Sequence, residues 1–313
     1  MTDENPQQPQ PYEAPQTRCG FIALIGAPNA GKSTLLNALV GGKVSIVSHK
    51  VQTTRTLVRG ITIEGDAQLI FVDTPGIFRP KRRLDRAMVT SAWGGAGDAD
   101  AVCLLIDARR GLDEENEAIL DKLPDVRRRK ILILNKIDLV PRTALLALAE
   151  KINAKLPFDE TFMIAALNGD GVASLRKRLA ELVQPGPWLY PEDQMSDAPL
   201  RQLAAEITRE KLFERLHDEL PYASTVETDQ WTVQKDGSIR VEQTIFVERE
   251  SQRKIVLGHQ GQAIKAIGSR ARVEIGEIAE AKVHLFLFVK VRENWADDPA
   301  RYREMGLEFP RGG

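Results

Sequence analysis

Apolar positions along this chain fall into two rhythms. Short apolar runs at 21–25, 68–72, 101–106, 130–134 and 161–165 alternate with segments at 32–40, 113–123, 143–156 and 172–183 whose apolar residues recur at helical spacing. Several of the short runs lack strict alternation, as strands covered on both faces do. Strand then helix, repeated, predicts a mostly parallel sheet with helices on both sides, the doubly wound α/β class. The rhythm breaks at 184–199, which holds Pro185, Gly186, Pro187, Pro191 and Pro199. Beyond it the pattern predicts a helix at about 200–216 and strands near 224–233 and 239–250, separated by the turn Lys235-Asp236-Gly237. A helix pair then flanks 258–261, and a last strand at 283–291 puts Val283, Leu285, Leu287, Val289 and Val291 on one face. The order α-β-β-α-α-β describes a smaller α+β module.

Residues 1–17 are rich in Pro and Gln and nearly devoid of aliphatic side chains, so they predict a disordered tail. The expected organisation is therefore a tail at 1–17, an α/β domain at 18–184, a linker at 185–199, the α+β module at 200–295 and a C-terminal tail at 296–313. A chain of 313 residues with 42% apolar content has material for two cores. Lys plus Arg total 43 against 44 Asp plus Glu, so a footprint for a polyanion has to be local. Cys19 and Cys103 stand far apart in no CxxC pair and read as buried, reduced thiols. No apolar stretch reaches the roughly 18 to 20 residues of a membrane span, and the N-terminus lacks signal-peptide order, which predicts a cytoplasmic protein.

The run Gly26-Ala27-Pro28-Asn29-Ala30-Gly31-Lys32-Ser33, followed by Thr34, matches GxxxxGK[ST] and sits between a predicted strand and a predicted helix. Main-chain N–H groups of such a loop close around phosphates, Lys32 reaches the β and γ phosphates, and the Ser33 hydroxyl suits Mg²⁺. A second signal, Asp73-Thr74-Pro75-Gly76, ends the run 68–72; Asp73 can hold Mg²⁺ through water and the Gly76 amide can sense a γ-phosphate. Alone, this spelling is also an ordinary turn. The third, Asn135-Lys136-Ile137-Asp138, follows the run 130–134. A carboxylate there accepts two hydrogen bonds from guanine that adenine cannot offer, which separates GTP from ATP.

With these motifs in order, the chain resembles the translation-factor-related GTPases, over roughly residues 20–295. The resemblance implies a GTPase that binds GTP and GDP with Mg²⁺. It implies that Gln52 to Thr56 is switch I, with Thr54 the second Mg²⁺ side-chain ligand ahead of Thr53. Lys32, Asn29, Thr54 and Gly76 are the implied catalytic set. Where the family has a Ser-Ala pair closing the base site, this chain has Ala165-Ala166, and the Ala166 amide is expected to face the guanine carbonyl. Ile77 occupies the position at which Ras-like proteins carry a water-orienting Gln, which implies slow turnover, with Asn29 either helping to hold K⁺ or only shaping the loop.

The α-β-β-α-α-β order with Gly258-His259-Gln260-Gly261 between helices resembles a type II KH domain, whose GxxG loop clamps single-stranded RNA. Lys254, Lys265 and Arg270 supply local positive charge beside it. A lone GxxG also serves as a helix-packing loop. The resemblance implies a monomer that binds 16S rRNA near its 3′ end and assists assembly of the 30S subunit, with at most weak peripheral contact with the inner membrane. The competing class is a GTP/GDP sensor whose KH-like module docks a protein or a membrane surface. The helix at 200–216 mixes Arg201, Arg209, Lys211 and Arg215 with Glu206, Glu210 and Glu214, which argues for packing over lipid binding. The basic run at 79–83 reads at least as well as a solvated loop as an RNA or ribosome contact, and the run at 127–130 reads as a solvated loop.

Overall fold

The computed structural model describes residues 17–310 apart from Val51, Asp218 and Glu219. Residues 1–16, nearly all of the expected N-terminal tail, and 311–313 lie outside the described residues. The first sheet contains β1 (Arg18–Ile25), β2 (Val58–Glu64), β3 (Ala67–Asp73), β4 (Ala101–Asp107), β5 (Arg129–Asn135) and β6 (Glu160–Ile164), in the order β2-β3-β1-β4-β5-β6. Every pairing is parallel except β2 with β3. Along β1, Ile22 and Leu24 face one core with α1 (Lys32–Val40) and α5 (Val172–Leu182). Ala23 and Ile25 face the other, with α2 (Arg83–Asp98), α3 (Glu114–Lys122) and α4 (Arg142–Lys155). Burial on both faces is why these strands read as continuous apolar runs.

Two elements of this domain stand outside the sequence pattern. β2 carries Gly60 at its centre, a residue that weakens a strand; here a Cβ would lie 2.6 Å from Leu36 Cδ1, so α1 packs directly on the bare backbone. α2 holds Gly94, Gly95 and Gly97 and is a poor helix by propensity. Its buried face, which includes Leu84, Ala87, Met88 and Ala92, supplies the stability that propensity lacks.

The second sheet has the order β7 (Ser224–Val233), β8 (Ile239–Val247), β9 (Val283–Val291), with β7 antiparallel and β9 parallel to β8. α6 (Leu200–Arg215), α7 (Glu250–Leu257) and α8 (Gln262–Ile278) cover one face of it. Glu250 opens α7 and is not the end of β8. The segment expected as a tail from 296 onward is instead structured: it contains α9 (Pro299–Glu304), and Tyr302 and Leu307 are buried with Trp295 against Leu84, Ala87 and Met88 of α2. The linker is docked too. Ile61 donates to Met195 O at 2.8 Å, Gly60 bridges Ser196, and Gln68 Nε2 holds Tyr190 O at 2.7 Å.

Candidate nucleotide site and KH loop

The P-loop leaves β1 at the point where the strand order reverses, the usual crevice of an open α/β sheet. Two glycines are demanded by space as well as conformation. Gly26 has φ 150° and a Cβ there would lie 2.4 Å from Leu105 O; Gly31 has φ 100° and a Cβ there would lie 2.2 Å from Asn135 Nδ2. Lys32 is buried and its Nζ donates to Gly26 O and Ala27 O at 3.0 Å each. Burial pulls its pKa down to about 8, against the opposing charge of Asp73.

Beneath Lys32, three hydroxyls converge on one carboxylate. Asp73 Oδ2 accepts from Ser33 Oγ at 2.6 Å, Ser45 Oγ at 3.1 Å and Thr54 Oγ1 at 3.4 Å, and Ser33 Oγ lies 2.9 Å from Thr54 Oγ1. Asp73 Oδ1 is buried with no hydrogen-bond partner. Burial raises the Asp73 pKa, opposed by Lys32 and the three hydroxyls. An all-oxygen set around an orphaned carboxylate oxygen fits a hard divalent cation such as Mg²⁺. Of these groups, Ser33, Thr54 and Asp73 were named from sequence and Ser45 was not. The Asp73–Gly76 turn lies on the P-loop: Thr74 Oγ1 donates to Leu24 O, and Ile77 donates its amide to Gly26 O at 3.0 Å. A Cβ on Gly76 would meet Pro28 at 3.0 Å.

At the other end of the site, Asn135 ties three loops together. Its Nδ2 donates to Ala30 O at 2.9 Å, and its Oδ1 accepts from the amides of Lys136 and Ala166 at 2.8 and 3.0 Å. The Ala166 amide, expected to face the base, thus donates to Asn135. Ala165 is further from its expected role: its N and O pair within the turn to Asp170, Asn168 and Gly169, and it does not line the cavity. Lys136, at φ 63°, bridges Asn29 O and Asp107 Oδ2. Burial raises the Asp107 pKa, but hydrogen bonds from Arg109 and Lys136 outweigh it and hold the carboxyl at about 2. An open cleft of about 370 Å³ runs from Lys32, Ser33 and Thr34 to Asp138 and Ala166. Arg109, His49 and Leu167 also line it, and sequence reading missed all three because they belong to no motif. Asn29, at φ 62°, donates its side chain to His49 O at 2.9 Å and so joins the P-loop to the segment just ahead of Gln52.

In the second module, Gly258 and Gly261 both have positive φ, at 72° and 74°, in the reversal between α7 and α8. A Cβ on Gly258 would lie 2.6 Å from Ala263 Cβ, whereas Gly261 opens to empty space. His259, Gln260, Lys254 and Lys265 are exposed around this loop. Arg270 is drawn away from it by an ion pair with Glu214 at 2.6 Å, so its charge serves α6 as much as a ligand. Within α6 itself, Thr208, Arg209, Glu210 and Lys211 are buried, with Lys211 paired to Glu210 and Glu274 at 2.6 and 2.5 Å. That burial removes α6 as a lipid-facing helix. Among the described residues, no helix is long and apolar enough to cross a membrane.

Comparison with known proteins agrees with this geometry. A family model described as "50S ribosome-binding GTPase" matches residues 21–136, and one described as "KH domain" matches residues 219–296. GTPase Era of a Bradyrhizobium species is 71% identical over 296 residues, covering 95% of this chain and 96% of that protein. GTPase Era of Brucella suis is 70% identical over 298 residues, with 95% and 96% covered. Among solved structures, Era in complex with MgGDPNP and nucleotides 1506-1542 of 16S ribosomal RNA superposes with a TM-score of 0.88 at 38% identity, covering 93% of this chain and 99% of that one. An Aquifex aeolicus Era variant bound to GDP.AlF4- gives the same TM-score, identity and coverage.

Proposed function

The chain belongs to the Era family of GTPases, and on that premise we propose that it couples GTP binding to the capture of 16S rRNA near its 3′ end by the GxxG loop, in support of 30S assembly. The observation that carries the reading is the pairing, in one chain, of a cavity lined by the P-loop and the Asn135–Asp138 loop with a GxxG loop in which His259 and Gln260 are exposed and Gly261 opens to space that a phosphate backbone could enter. GTP hydrolysis is the activity of the family. Lys32 moves from the Gly26 and Ala27 carbonyls to the β and γ phosphates. Asp138 reads the base, and Asn135 holds the P-loop and base loop in register. Ser33, Thr54 and Asp73 would hold Mg²⁺, which when bound would supply charge neutralisation for the phosphates. The Gly76 amide reports the γ-phosphate. Ile77 is buried among Ala23, Ile25 and Ala27 and has no group with which to orient water, which fits slow turnover. Asn29 would help hold a K⁺ ion in the role of an arginine finger; equal hydrolysis rates in Na⁺ and K⁺ would assign it to loop shape alone.

The test is fluorescence-detected binding of a 16S rRNA 3′-end oligonucleotide to protein loaded with GDP or a non-hydrolysable GTP analogue. Tighter binding in the GTP form, abolished by Gly258→Asp with Gly261→Asp while nucleotide affinity persists, is the expected result. Absence of RNA binding in both states refutes the reading and leaves the sensor class, to be sought with protein partners and liposomes. Sedimentation with 30S rather than 50S particles separates the small-subunit reading from the one suggested by the description of the G-domain family.

A further inference from the structure

Thr54 is bracketed by two arginines that cross in opposite directions between switch I and the C-terminal module. Arg209 of α6 is 1% exposed and reaches back to switch I, where its Nη2 donates to Thr53 O at 2.5 Å while its Nε holds Glu206 at 2.9 Å. Arg55 is 5% exposed and reaches the other way. Its Nη1 donates to Ser224 O at 2.9 Å, and its Nη2 donates to Pro221 O and Tyr222 O at 3.3 Å each. Both guanidiniums face the Phe213 ring, at 6.0 Å for Arg55 and 5.2 Å for Arg209. The hydrogen bonds of Arg55 all go to main-chain carbonyls, so the group is held by the shape of the turn before β7. Burial lowers its pKa to about 9, and the neighbouring charge of Arg209 adds to the effect. The planar fork reaches these three carbonyls from two separate nitrogens, whereas an ammonium would have to reach all three from one point.

The same joint touches the helix that follows the Asp73–Gly76 turn. Arg55 lies 5.6 Å from the Trp295 ring, whose Nε1 donates to Ala223 O at 3.0 Å. Trp295 in turn packs with Leu84, Ala87 and Met88 of α2, the helix that follows the Asp73–Gly76 turn. Glu210 adds a further tie, accepting the Val47 amide at 2.8 Å.

We propose that Arg55 and Arg209 are reciprocal positioning residues for the Thr54 hydroxyl, so that the placement of the C-terminal module sets how readily Thr54 meets the Mg²⁺ of bound GTP. The proposal rests on the reading of Thr54 as a Mg²⁺ ligand given above. Displacing the module pulls on the residues either side of Thr54; drawing Thr54 towards the metal pulls on the turn before β7. Linkage makes the two effects equal in size.

The test is the Mg²⁺ dependence of binding of a non-hydrolysable GTP analogue to the full chain, with and without the rRNA oligonucleotide, for Thr54→Ala, Arg55→Ala, Arg55→Lys and Arg209→Lys. Retained GDP affinity reports a folded G domain. Thr54→Ala is expected to raise the half-saturating Mg²⁺ about tenfold and Arg55→Ala about five- to tenfold, within the usual range of coupling between sites. Arg55→Lys and Arg209→Lys are expected to fall between these and the wild type. RNA is expected to shift the Mg²⁺ requirement of the wild type and not that of Arg55→Ala. A wild-type Mg²⁺ requirement in Arg55→Ala overturns the proposal; should that variant lose GDP binding, a wild-type requirement in both lysine variants does so. An unchanged requirement in Thr54→Ala removes the metal assignment itself, and the proposal with it.

Discussion

Lys136 donates to the main-chain oxygen of Asn29 at 2.7 Å, so one ammonium group joins the loop that reads the base to the loop that holds the phosphates. The same Nζ is anchored 2.7 Å from Asp107 Oδ2, and that carboxylate is 3% exposed. The folded protein holds Asp107 at about 2, below the ordinary 3.8. A depressed carboxylate pKa stabilises the fold above the unfolded value, and that contribution disappears as pH falls through the folded value. Acid titration monitored by circular dichroism should therefore show stability lost between about pH 4 and pH 2. Asp107→Asn should flatten this part of the curve, and an unchanged curve would assign the acid sensitivity elsewhere.

Lys32 carries the opposite sign. Its folded pKa of about 8 lies below the ordinary 10.5, so its burial as a cation disfavours the fold below pH 8, and the penalty is relieved as pH rises towards 10.5. Phosphate beside Nζ restores the charge. GDP binding at pH 8.5 should take up protons, and binding at pH 7 should take up none through this group. Calorimetry in buffers of different ionisation enthalpy measures the difference.

Asp138→Asn should weaken GTP binding by about two orders of magnitude or more, because the remaining amide cannot accept both guanine donors. The same variant should gain affinity for XTP. Competition of the two nucleotides against a fluorescent GDP analogue checks the pair, and unchanged GTP affinity would withdraw Asp138 from the base site.

Tyr302 is fully buried and meets Phe309 edge to face at a centroid distance of 4.9 Å. Tyr302→Ala should cost about 3 kcal/mol, the lower end for deleting a buried aromatic ring. A side chain in a solvated tail would change stability by about 0.5 kcal/mol or less. Thermal melts of the full chain distinguish the two.

The sequence made legible those parts of the site whose atoms are neighbours along the chain. In the P-loop, the Asp73–Gly76 turn and Asn135 to Asp138, spelling and geometry are nearly the same thing. Arg55 shows the limit, because its acceptor Ser224 O lies 169 positions away and nothing in the spelling of switch I names it. β2 was hidden by Gly60, whose meaning lies in how closely α1 approaches. The buried segment after Trp295 was hidden because Tyr302, Leu307 and Phe309 are spaced too sparsely to suggest a periodic element, yet all three reach one surface patch on α2 and its flank. The bond from the Ala166 amide to the side chain of Asn135 was hidden because Asn135 comes from another strand.

The strip of chain laid along β2 has a consequence for how the two halves move. Arg59 pairs with Asp197 at 2.8 Å, and α6 begins at Leu200, so only Ala198 and Pro199 span the gap. The three Cα–Cα steps from Asp197 to Leu200 reach about 10 Å when fully extended. A module on so short a leash explores almost no volume: its local concentration at the switches is fixed by a pivot and not by diffusion on a tether. Any motion of the module relative to the sheet is then a rotation about a point beside the sheet edge. That covered edge is also denied to any neighbouring chain as a template for strand pairing.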